Sequence, residues 1–172
     1  MDRAPDYAEP LSGWRAWLLV ERDEVRLLRS VVYPTLWEPR QTLEAECLRG
    51  RSGAHPAPEL SCGCGIYAAA EPAQAADFLW SYGRSGERGT VLRVLGRALL
   101  WGEVVECKAG WRASRAYPSR LYLLSEAAHD TGSTLSAAHA LSAYGVPVGL
   151  LEASTREEAL SALGRSRQDQ AA

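Results

Sequence analysis

Apolar residues in this chain fall in short runs that alternate with a period of two, and glycine or proline bounds most of them. That pattern restricts the fold to a sheet-rich one. From Gly13 to Val20 the run places Trp14, Ala16, Leu18 and Val20 on one strand face and Arg15, Trp17 and Leu19 on the other. Glu21 to Glu24 is polar enough for a turn, and Val25 to Val32 returns as the second strand of a hairpin. Gly65 to Ala69 reads as a buried strand. Thr90 to Cys107 reads as one bent strand or two, with Gly96 and Gly102 as bulge positions. Trp111 to Ala116 and Arg120 to Leu124 complete the extended segments, and Thr42 to Leu48 is open between a helical turn and a strand.

Helical signals are fewer. Pro72 stands at a first-turn position, where its missing N–H costs nothing, and opens a helix to about Tyr82 that buries Ala75, Ala76 and Leu79. An alanine-rich helix spans Ser133 to Tyr144 and stops at Gly145. Ser154-Thr155-Arg156-Glu157 has the form of a capping box before a last helix that ends near Gly164. The expected fold class is therefore α+β: one sheet-rich domain, antiparallel or mixed or a half-barrel, with one central helix and two C-terminal helices. Its limits are 13–165, with residues 1–12 as a flexible leader and 166–172 as a frayed tail.

Length and composition narrow the function classes. A chain of 172 residues, 47% hydrophobic and 23% charged, suits one globular domain. A net charge of -2 offers no electrostatic case for nucleic acid or an anionic membrane. The start of the chain has no signal-like apolar stretch, and no apolar run spans a bilayer, so a cytoplasmic protein is expected. There its four cysteines would be thiols or metal ligands rather than disulfides.

The cysteines carry the strongest chemical signal. Cys62-Gly63-Cys64 hinges two sulfurs toward one point, and it closes a loop over 49–63 that is rich in glycine and proline. Cys47 precedes that loop and His55 lies inside it, so Cys47, His55, Cys62 and Cys64 would make a Cys₃His zinc site. Cys107 is the rival fourth ligand. The competing readings are unligated thiols, with Cys47 and Cys107 as small buried residues, or a redox centre.

A second candidate surface is Trp111, Arg112, Arg115 and Tyr117. Aromatic rings alternating with guanidinium groups there suit an aromatic anion such as a nucleotide, and suit equally a strand with a solvated arginine face. Gly83-x-x-Gly86-x-x-Gly89 lacks the lysine of a phosphate loop and reads as a turn. His129 and His139 have no nucleophile partner in the pattern. Gly13-Trp14-Arg15-Ala16 recurs at Gly110-Trp111-Arg112-Ala113, which implies either two strands opened by glycine turns or a duplicated half-barrel.

The set Cys62-Gly63-Cys64-Gly65-Ile66-Tyr67-Ala68, Leu100 to Glu106, Gly110 to Ala113 and Ala116-Tyr117-Pro118 resembles a group of small bacterial proteins. The resemblance covers about residues 13–124 and implies a compact sheet-rich unit, with no activity to carry over. A looser similarity to ADP-ribosyltransferase segments rests on a Gly-hydrophobic-Tyr strand before a helix and assigns no residues. The leading expectation is a non-enzymatic, zinc-stabilised accessory or regulatory domain that binds a protein partner or small ligand. The alternative is an enzyme or sensor for a nucleotide-like anion at Trp111, Arg112, Arg115 and Tyr117.

Overall fold

The computed structural model describes residues 6–48, 55–82, 91–125 and 131–169, with the side chains of 6–8 and 167–169 left aside. Their order is β1 (Asp6–Arg22), β2 (Val25–Ser30), β3 (Leu36–Trp37), β4 (Leu43–Glu44), β5 (Ile66–Ala69), α1 (Pro72–Tyr82), β6 (Leu92–Cys107), β7 (Gly110–Ser125), α2 (Thr131–Ser142), β8 (Val148–Glu152) and α3 (Arg156–Asp169). All eight strands belong to one sheet. The α+β expectation, with one central and two C-terminal helices, holds.

Three long strands form the frame. β6 pairs antiparallel with β1 on one edge and with β7 on the other. The short β5 pairs with β7 from Ile66 to Ala69 and meets β1 at Trp14↔Ala69, which closes a ring of β1, β6, β7 and β5. β4 and β8 extend the same edge of β7, β8 in parallel.

Both faces of the sheet are covered, which is why β1 reads as nearly continuous apolar sequence. Trp17 and Leu19 enter a core with Leu28, Trp37, Ala113, Ala116 and the α2 residues Ala137 and Leu141. Trp14, Ala16, Leu18 and Val20 enter the other, against Ala75 and Leu79 of α1 and Ala159, Ala162 and Leu163 of α3. Tyr144 seals the first core, where its hydroxyl accepts the Leu28 N–H at 2.8 Å and donates to the Trp37 carbonyl at 2.5 Å.

Both glycine positions expected as bulges in β6 lie at or next to a register shift. Gly102 has φ +75° within the register shift between Trp101 and Val104. At Gly96 a Cβ would stand 2.1 Å from the Arg120 carbonyl oxygen, so only glycine lets β7 pass this closely. Through these shifts β6 and β7 remain single long strands, and β7 runs through Pro118, which pairs with Ala98 beside the other register shift.

Several boundaries differ from the sequence reading. The leader is shorter than residues 1–12, because β1 begins at Asp6 and pairs with β6 at Asp6↔Glu103 and Tyr7↔Gly102. Pro10, which cannot donate to a ladder, falls in the register shift between Tyr7 and Leu11, so the strand tolerates it. Thr42 to Leu48 contains a strand, Leu43–Glu44, not a helical turn. β8 forms at Val148–Glu152, where Leu121 to Ser125 offers it an open edge. The cap of α3 sits one residue later than expected: Thr155 Oγ1 accepts the Glu158 N–H at 3.2 Å, and Glu158 Oε2 accepts the Thr155 N–H at 3.1 Å. Capped there, α3 continues through Gly164 to Asp169, so the helix occupies part of the expected tail. The Gly83 to Gly89 turn and His129 lie outside the described residues.

Candidate metal centre and the adjoining cavity

The edge of β7 assembles the cysteine cluster. β4 docks on β7 through Leu43↔Ala116 and Glu44↔Arg115, and the Ala45 N–H donates to the Ser114 carbonyl at 2.8 Å, which fixes the approach to Cys47. β5 docks a few residues earlier on the same edge and fixes the exit from Cys64. The chain between them must therefore turn back on itself, and His55 and Cys62 lie in that return.

Cys47, His55, Cys62 and Cys64 each aim a ligand atom at one point, and those atoms lie within 4.8 Å of one another. Cys47 Sγ and Cys62 Sγ are 3.8 Å apart, and Cys64 Sγ is 4.0 Å from His55 Nδ1. Tetrahedral zinc with bonds of ~2.3 Å to sulfur separates its sulfurs by about 3.8 Å, so the quartet is positioned to hold a metal ion of that size. Burial is graded: Cys64 is buried and the other ligands are partly exposed.

Electrostatics within the quartet favour metal binding. Burial raises the Cys62 thiol, but the Cys64 N–H and the side chains of His55, Cys64 and Cys47 outweigh it and bring the group down to about 7. Burial pushes the Cys64 thiol up, and the neighbouring sulfurs of Cys62 and Cys47 add to the rise. His55 is raised, first by its hydrogen bond to the Pro56 carbonyl and then by Cys62. Crowded thiols of which one ionises readily are the state that a divalent cation relieves.

Arg112 holds the loop from behind. It is 5% exposed, and its guanidinium Nη1 donates to the carbonyl oxygens of Glu59 at 3.2 Å, of Cys64 at 2.7 Å and of Cys62. Its Nε points at Cys107 Sγ, 3.4 Å away. Cys107 thus lies outside the quartet, and His55 supplies the fourth ligand atom instead. Cys107 follows the β6 bulge and faces Arg112, a placement that chain spacing does not reveal.

The second candidate surface does not converge either. Arg112 is committed to the loop carbonyls, whereas Arg115 is exposed and pairs with Glu44 at 3.3 Å. Tyr117 faces the end of α2, where its hydroxyl donates to the Tyr144 carbonyl at 2.8 Å and accepts the Arg40 N–H at 2.6 Å. Of the four residues only Trp111 lines the cavity beside the metal loop.

That cavity has a volume of about 620 Å³. It lies between β1, β2, β5 and α1, with Gly63, Cys64 and Gly65 of the metal loop in one wall. Its lining is dominated by apolar residues, among them Trp14, Val31, Ile66, Phe78 and Trp111, and it includes Arg15. No run of residues announces this cavity in the sequence, because its walls come from six separate segments. The repeated Gly-Trp-Arg-Ala was the available signal: both tryptophans line it.

No protein-family model, curated protein or solved structure matches the chain.

Proposed function

We propose that this protein is a zinc-stabilised binding domain, in which the metal is structural and the function is recognition rather than catalysis. The convergence of Cys47, His55, Cys62 and Cys64 carries this reading. Four protein ligands complete a tetrahedral shell and leave no position for a reacting water. The thiolate-rich donor set favours zinc over magnesium or calcium, which prefer oxygen. A hydrogen bond between His55 Nδ1 and the Pro56 carbonyl, 2.9 Å away, fixes the ring within the quartet. Free thiols at these distances suit a reducing compartment, the cytoplasm.

The metal loop forms one wall of the cavity, so binding the ion also shapes the recognition surface. Such a domain would act as an accessory or regulatory module through what that surface takes up. Elemental analysis of purified protein should give about one zinc per chain. The Cys62→Ser, Cys64→Ser double variant should lose the zinc, and its melting temperature should fall by several degrees. A zinc-free wild type that melts like the double variant would refute the site.

A further inference from the structure

We infer that the 620 Å³ cavity is a binding site for a small organic monocarboxylate with an apolar body, held by its carboxylate on Arg15. This rests on the same surface as the binding function above, but not on the metal itself.

Size and surface come first. The cavity falls within the range of small-molecule sites, roughly 300–1,000 Å³. Large apolar side chains stand half-exposed around it: Val32, Tyr33, Leu48, Tyr67 and Phe78 are between 44% and 59% exposed. A folded domain leaves so many large apolar groups around one hollow where something apolar covers them.

The charge identifies the rest of the ligand. Arg15 lines the cavity, with its guanidinium carbon 4.9 Å from the centre of the Trp37 ring. One terminal nitrogen donates to the Tyr67 carbonyl and the other to Ser30 Oγ at 3.0 Å. Among the described residues no carboxylate forms an ion pair with it. Its Nε is buried and has no hydrogen-bond partner among the described residues. Removal from water brings the guanidinium down to about 10, so it still carries its charge at neutral pH. Arg15 is half-buried; a cation so withdrawn from water is ordinarily paired with an anion, and a guanidinium with unused donors matches a carboxylate in shape as well as charge.

The remaining charges set the number of anionic groups. Glu44 and Glu46 also line the cavity, on the side of β4. Glu44 is neutralised by Arg115, whereas no ion pair to Glu46 is found among the described residues. A second carboxylate at that end would meet Glu46, so the site selects a monoanion with a hydrocarbon or aromatic body.

Isothermal titration of the full zinc-loaded chain with decanoate, decan-1-ol and decanedioate tests this, with zinc measured in the same samples. Decanoate should bind about ten-fold more tightly than either of the others, the scale of one retained charge-assisted contact. Arg15→Met should abolish the preference for decanoate over decan-1-ol. Phe78→Asp alters an exposed position on α1, spares the cores, and should weaken decanoate at least about ten-fold by placing a like charge on the apolar wall. The inference is overturned if wild type binds decanoate no better than decan-1-ol, or binds neither. It is equally overturned if Arg15→Met keeps the preference, or Phe78→Asp leaves the affinity unchanged. Decanoate binding to protein that lacks zinc would refute the metal reading alone, and zinc-loaded protein that ignores decanoate would refute this inference alone.

Discussion

The two Gly-Trp-Arg-Ala segments lie on either side of β5, and the same four residues do opposite work there. Gly13 and Gly110 both let a neighbouring backbone approach Ala68 closely. Trp14 and Trp111 both line the cavity, and Arg15 and Arg112 both donate to carbonyl groups on β5 or in the loop leading into it. Arg112 is filled by carbonyl oxygens of the metal loop and acts as a strut. Among the described residues Arg15 meets the Tyr67 carbonyl, the Ser30 hydroxyl and an aromatic face, and it retains donors for a ligand. Identical tetrapeptides thus acquire a structural or a recognition role from the number of acceptors that the surrounding chain brings to them.

That contrast is open to direct attack. The largest effect is expected at Arg112→Met, which strands the carbonyls of Glu59, Cys62 and Cys64. It should cost about 3 kcal/mol or more and release the metal, measured by denaturant unfolding and elemental analysis. A variant that keeps both its stability and its zinc would remove the distinction between the two arginines.

The paired glycines give the next test. At Gly110, φ is +149° and a Cβ would stand 2.1 Å from the Ala68 carbonyl oxygen, so Gly110→Ala should cost about 3 kcal/mol. At Gly13 the nearest atom is the Ala68 side chain at 2.6 Å, so Gly13→Ala should cost about 1–2 kcal/mol. Equal unfolding midpoints for the two would mean that β5 yields as readily on both sides.

Acidity should separate the two sides as well. Metal binding needs the thiolate and the neutral imidazole, so it releases protons, and affinity rises with pH until those groups have lost their protons. With Cys62 at about 7 and His55 raised, zinc affinity should fall about ten-fold per pH unit for each proton taken up as pH drops below 7. Transfer to a chromophoric chelator across pH 5–8 would measure it, and a flat profile would exclude these ligands.

The smallest effect is expected at Arg15→Met. It removes a partly desolvated cation that has no carboxylate partner among the described residues, so stability should change by less than about 1 kcal/mol, toward the more stable. Thermal and denaturant unfolding check this, and a loss comparable to that of Arg112→Met would make Arg15 a second strut.

Much of this arrangement was legible along the chain because its signals are local. Alternation marked Gly13 to Val20 as a strand, Pro72 marked the start of α1, and Cys47, His55, Cys62 and Cys64, with Cys107 as rival, marked a ligand set. Other features depend on partners far apart in sequence. Asp6 to Ser12 became a strand because β6 is long enough to receive it. The α3 cap moved by one residue because Glu158, not Glu157, turns back to the Ser154 and Thr155 N–H groups. Cys107 left the ligand set because the β6 bulge aims it at Arg112.

By itself, then, the sequence determined the α+β class, the position of the helices and a candidate ligand set with His55 and Cys107 as rivals for its fourth place, all properties of periodicity and short spacing. Only the tertiary structure decided the roles of the repeated arginines. Whether a buried guanidinium is satisfied depends on which carbonyls are folded against it, and those come from chain segments that no local pattern connects.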